Sequence, residues 1–149
     1  MLRLGPLAFL RNPKNGKVEL KVSSQTRNIR KISARILGSL DPFKLDEGII
    51  FDIKLCIEEA VRNAMVHGNR SDKRLTVRVA YAIEGSSLVI EVEDAGAGFD
   101  HKKVADPTAE PYITKNSGRG VYLIKKLMDK AEYNDTGNKL TMTKNLRRL

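Results

Sequence analysis

The chain has 149 residues, 41% hydrophobic and 30% charged, which suits one globular domain with a real core. Its single cysteine, Cys56, excludes a disulfide framework and a multi-cysteine metal site. No apolar run approaches the roughly 20 residues that a membrane-spanning helix needs. The formal charge is +9 and unevenly spread: residues 1–35 hold nine Lys and Arg against one acid, Glu19. Lys144, Arg147 and Arg148 add a second basic end, so the segment between is close to neutral. Such ends suit an acidic partner or nucleic acid, or are simply a solvated edge.

Residues 1–16 carry Gly5, Pro6, Pro13 and Gly16 without a period and read as an irregular N-terminal extension; the domain itself is expected over 17–149. The stretch Leu4–Leu10 is short for a leader core and has no small-residue cleavage site after it, so a cytoplasmic protein is expected. Strict alternation over 17–23 places Val18, Leu20 and Val22 on one face of a strand. A helix is expected after Ser24, with Ile29, Ile32, Ile36, Leu37 and Leu40 as its stripe, ended by Asp41-Pro42. A second helix runs from about Asp46 to His67, stopped by Gly68-Asn69. Two strands, 75–83 and 87–93, flank a turn at Glu84-Gly85-Ser86. After a looser region at 99–116, a helix over 120–129 and a strand pair at 131–134 and 139–143 close the chain. This order lacks the βαβ alternation of a parallel sheet. It predicts an α+β two-layer sandwich, helices on one face of a mostly antiparallel mixed sheet.

Three segments concentrate chemistry. In the second helix Glu59 and Asn63 lie one turn apart on one face, while Glu58 and Arg62 read as an outward ion pair. An asparagine carbonyl suits Mg²⁺ without adding charge, and a carboxylate beside it could orient or deprotonate a hydroxyl attacking a γ-phosphate. The alternative is two polar residues on a helix edge. Asp94 falls on the apolar face of its strand with Leu88, Ile90 and Val92, where it needs a donor such as an adenine amino group. Gly96 and Gly98 would let the backbone approach a flat ligand; a capped strand end is the plainer reading. Gly118 and Gly120 precede the third helix, where amides could hold phosphate, with Lys115 and Arg119 adding charge; a hinge is the alternative. Residues 99–117 would then be a lid.

In order and spacing these segments resemble the N box and the two glycine boxes of the GHKL ATPases. Asn-Ala-x-x-His-Gly, from Asn63 to Gly68, looks like the anti-sigma-factor serine/threonine protein kinases. So do Ser117-Gly118-Arg119-Gly120, Leu127-Met128-Asp129 and Met142-Thr143-Lys144. The resemblance covers about residues 17–146 and implies the Bergerat, or histidine-kinase-like ATPase, fold. It makes Glu59 the general base, Asn63 the Mg²⁺ ligand and Asp94 the adenine acid beside Gly96 and Gly98. Gly118 and Gly120 become phosphate contacts, and His67, Lys115, Ser117, Arg119 and Val121 join the ATP site. It implies phosphorylation of an anti-anti-sigma (STAS-domain) protein, sequestration of a sigma factor, and a homodimer. The partner face would include Arg27, Arg30 and Lys31. Where the family often carries Gly-Thr, this chain has Gly137-Asn138. A catalytically weak ATP-binding interaction module is the alternative. With aromatics at 5% and no recognised motif, direct nucleic-acid binding is not expected, nor is membrane insertion.

Overall fold

The computed structural model describes residues 7–12, 16–96 and 116–147. Six strands form one sheet in the order β1-β2-β3-β4-β6-β5: β1 Leu7–Asn12, β2 Lys17–Ser23, β3 Thr76–Glu84, β4 Ser87–Glu93, β5 Lys130–Tyr133 and β6 Lys139–Asn145. Every described pairing is antiparallel. The helices are α1 Ile29–Gly38, α2 Glu47–Asn63 and α3 Asn116–Leu127, with α2 between and packed on both.

Period-two alternation decides which face is covered. Val22 opposes Val77, Leu20 opposes Val79, Val79 opposes Val92, and Ile90 opposes Met142. These side chains are buried in one cluster with Ile29, Ile32 and Ile36 of α1, Ile53, Ile57 and Val61 of α2, and Ile124 of α3. The expected sandwich is therefore what forms, with the helices covering one face of the sheet.

The other face carries charge. Arg78 Nη2 donates to Glu19 at 2.6 Å and Nη1 to Glu91 at 3.3 Å. Lys17 donates to both oxygens of Glu91 at 3.1 Å. The Arg78 hydrogen bond holds the Glu19 carboxyl below its ordinary value. Burial works to raise Glu91, but Lys17, Lys139 and Arg78 outweigh it, and its carboxyl is also held low. Ala80, beneath this network, is fully buried.

Three expectations need correction. The segment read as irregular contains β1, which pairs with β2 from Leu7 opposite Val22 to Asn12 opposite Lys17. Pro6 and Pro13 bracket it, and an edge strand tolerates such flanks. The third helix begins at Asn116, so Gly118 and Gly120 lie inside its first turns and do not precede it. The second helix does not run regularly to His67: Ala64–Gly68 is a π turn, in which the Asn69 N–H reaches back to Ala64 O at 2.8 Å. Such wide turns inside a helix are often found at functional sites.

Candidate functional site

Glu59 and Asn63 stand on the edge of α2 that faces α3. They meet Gly120: a Cβ built there would lie 2.7 Å from Glu59 Oε2 and 2.8 Å from Asn63 Nδ2. Gly120 therefore lets α3 come this close to a carboxylate and a carboxamide, which is a different use from offering an amide at a helix end. The residue pairing on α2 also differs from expectation. Arg62 bonds Glu59 Oε1 at 3.1 Å, not Glu58. Glu58 turns toward α1 and accepts the Ser33 hydroxyl at 2.8 Å. The helical i,i+3 approach suits Arg62 once Glu58 has a partner on the neighbouring helix. Oε2 of Glu59 is left toward Gly120.

Asn63 Nδ2 is buried and has no hydrogen-bond partner. An unpaired buried amide is costly, and a half-turn of the amide would present its carbonyl oxygen at the same place. Among the described residues no three His, Cys, Asp or Glu side chains gather as a metal cage. A neutral oxygen beside one carboxylate suits Mg²⁺, which takes its remaining oxygens from phosphate and water, better than such a cage would. The residues present therefore fit that ion.

Asp94 closes the other end. Just past β4, it sits where the π turn passes. A Cβ on Gly68 would collide with the Asp94 carboxylate, and one on Gly96 with the carbonyl of Gly68. These two glycines let the π turn and the 94–96 turn approach closely where any side chain would hold them apart. Asp94 Oδ1 accepts the Gly96 N–H at 2.8 Å, and the Asp94 N–H donates to Asn138 O at 2.9 Å. Burial pushes the Asp94 carboxyl above its ordinary value; the Gly96 N–H works against that and Glu93 adds to it. A half-buried carboxylate with so little compensation can take a ligand's N–H.

The remaining expected residues are placed as follows. His67 is exposed on the π turn, and Val121 is buried on α3. Ser117, Gly118 and Arg119 are in the first turn of α3, whose first four N–H groups have no intrahelical partner. Gly98, Lys115 and most of the segment read as a lid lie outside the described residues. Arg27, Arg30 and Lys31 are exposed together at the start of α1, away from the buried stripe.

Two neighbours of the site had no signal in the sequence. Burial raises the Tyr133 phenol to about 12, with the Asp94 charge contributing. Asn69, read only as a helix stop, is 1% exposed and fully bonded through its side chain. Asn138, in the place of the family's threonine, spends its side chain on its own turn, accepting from Asn134 at 2.7 Å and Thr136 at 2.9 Å.

Residues 22–144 match the model of the histidine kinase-like ATPase domain family. The chain is 34% identical over 137 residues to an anti-sigma F factor of Clostridium acetobutylicum, covering 86% of this chain and 92% of that protein. It is 32% identical over 129 residues to an anti-sigma F factor of Clostridium kluyveri, covering 84% and 87%. The serine-protein kinase RsbW of Bacillus subtilis is 28% identical over 137 residues, covering 87% and 85%. This chain belongs to the anti-sigma-factor kinase family, within the histidine kinase-like ATPases. Membership makes it an ATP-binding domain. Among the described residues no helix is long and apolar enough to cross a membrane.

Proposed function

We propose that the chain binds ATP with Mg²⁺, phosphorylates a serine or threonine of a STAS-domain anti-anti-sigma protein, and sequesters a sigma factor by partner switching. The observation that carries this is the meeting of Glu59, Asn63 and Gly120 across two helices, with Asp94 one π turn further on. Asp94 accepts the adenine amino group through the carboxylate oxygen that Gly96 leaves free. Asn63 holds Mg²⁺ through its carbonyl oxygen. When bound, that ion neutralises charge on the phosphate oxygens. Glu59, steadied on Oε1 by Arg62, uses Oε2 to take the proton of the partner's hydroxyl. Loss of that proton accompanies bonding of the hydroxyl oxygen to the γ-phosphorus and departure of ADP with the electrons of the broken P–O bond.

The names of the relatives support a sigma factor as one partner. The exposed basic cluster of Arg27, Arg30 and Lys31 at the start of α1 supports docking of an acidic partner surface there. Family membership supports a homodimer acting in the cytoplasm.

The test is phosphate transfer from labelled ATP to a STAS-domain partner, wild type beside Glu59→Gln. The variant keeps the size of the side chain and loses its basicity. Transfer by the wild type and a loss of about 100-fold or more in the variant is expected. Equal transfer by both refutes the base assignment. ATP binding without transfer by the wild type leaves an interaction module.

A further inference from the structure

Three consecutive amides carry the Asp94 turn, and each is taken by a different element. The Asp94 N–H goes to Asn138 O beside β6, and the Gly96 N–H to Asp94 itself. The amide between them, Ala95, donates to Asn69 Oδ1 at 2.8 Å. Asn69 is held from behind. Its Nδ2 donates to Ser24 Oγ at 2.9 Å and to Thr76 O at 3.0 Å. Ser24 in turn donates to Leu75 O at 2.8 Å. The Asn69 N–H bonds Ala64 O across the π turn. One buried residue thus joins the end of α2 through its backbone, and the end of β2, the start of β3 and the turn after β4 through its side chain.

We propose that Asn69 is a positioning residue for base recognition: it fixes the Ala95 amide and so aims the Asp94 carboxylate at the adenine edge. The inference rests on Asp94 as the adenine acid. The geometry gives Asn69 this task because Asp94 has no other outside hold on the 95–96 side among the described residues. Gly68 lies so close to the same carboxylate that a Cβ there would collide with it, which leaves the turn little room to shift. Gly96 must stay close to Gly68 O, and a turn released at Ala95 would drift from that contact. Without the Asn69 acceptor, the carboxylate would still be present but no longer pre-aimed, so a ligand would have to order it on binding.

The role is distinct from that of a plain core amide. A structural residue would weaken every nucleotide alike. A residue that aims Asp94 should matter for a base offering an amino donor and not for one presenting a carbonyl at that edge. Guanine, with oxygen in place of the adenine amino group, is the comparison.

The experiment uses the full chain as wild type, Asn69→Ala, Asn69→Asp and Ser24→Ala. Binding of Mg-ATP and Mg-GTP is measured by titration or competition, and exchange of the Ala95 amide is followed by NMR. Asn69→Ala should weaken ATP by about tenfold, the scale of one lost hydrogen bond with its reordering cost, and leave GTP nearly unchanged. Its Ala95 amide should exchange faster. Asn69→Asp keeps an acceptor for Ala95 but loses both Nδ2 donors, so its exchange rate and ATP preference should fall between those of wild type and Asn69→Ala. Ser24→Ala removes one of the two rear anchors and should have the smallest effect in the same direction. An unchanged ATP-to-GTP ratio in Asn69→Ala overturns the proposal, including an equal loss for both. If Asn69→Ala does not fold, Ser24→Ala decides: faster Ala95 exchange with a reduced ATP preference supports the role, and an unchanged preference overturns it. If the wild type binds neither nucleotide, the ATP-site reading fails separately, and the Ala95 exchange rates still show whether Asn69 holds the turn.

Discussion

Gly120→Ala separates the fold from the site. The added Cβ would lie 2.7 Å from Glu59 Oε2 and 2.8 Å from Asn63 Nδ2, closer than carbon, oxygen and nitrogen tolerate. Something must move, and the side chains are the softest parts. Glu59 can leave its half-exposed pair with Arg62 at a cost of about 0.2–1 kcal/mol. Asn63 breaks no hydrogen bond at Nδ2, because that atom has none. Against these costs, alanine in place of a helical glycine gains about 0.5–1 kcal/mol. The variant's own stability should stay within about 1 kcal/mol of wild type, a shift of about 2–4 °C for a domain of this size. Its ligand response should differ sharply. Wild type at 100 times its Kd for Mg-ATP gains about 2.7 kcal/mol, or about 5–10 °C in Tm. Displacing a metal ligand and a catalytic carboxylate weakens binding by about 100-fold, leaving a shift of about 1 °C at the same concentration. Paired thermal melts with and without Mg-ATP read both quantities. A variant of normal stability that keeps the full Mg-ATP shift would refute the assignment of the ligand to the space between Glu59, Asn63 and Gly120.

Other outcomes follow from burial and charge. Asp94 has its pKa raised in the folded chain, so the folded state holds a proton more tightly than the unfolded one. Wild-type stability should therefore fall as pH rises from the ordinary carboxylate range through that raised value, and Asp94→Asn should lack this slope in pH-dependent denaturation. Arg78→Leu leaves Glu19, Glu91 and Glu93 without a shared guanidinium and should cost about 1–2 kcal/mol in urea melts at low salt. Glu19 and Glu91 are held low, so that difference should be fully present above the ordinary carboxylate range and close as pH falls through their depressed values. Ile57→Ala, at a position with no exposed surface, should cost about 2–5 kcal/mol by the same assay.

Much of this was legible in the chain because local patterns carried it. Alternation in β2 and β4 placed their faces, and Gly85 at a φ of 62° marks the two-residue hairpin turn between β3 and β4. Helical spacing placed Glu59 and Asn63 together, and the strand period put Asp94 on the apolar side. What was missed depends on contacts that no local pattern encodes. Asn69 meets Ser24 across 45 residues and Ala95 across 26, so neither spacing nor period could announce it. Glu58 found Ser33 on another helix, and that freed Arg62 for Glu59. The strand at Leu7–Asn12 has prolines at both borders and no alternation, and it forms because β2 offers an unpaired edge. Gly120 was expected ahead of a helix, but it lies inside one, against Glu59 and Asn63, a contact between two helices that no local pattern encodes.

The central claim is best tested by calorimetry of Mg-ATP binding to the full chain, wild type beside Asp94→Asn. Binding in the micromolar range by the wild type, abolished by a substitution that leaves the fold intact, is the expected result. Equal binding by both proteins would contradict Asp94 as the adenine acceptor, and no binding by the wild type would contradict the ATP site as a whole.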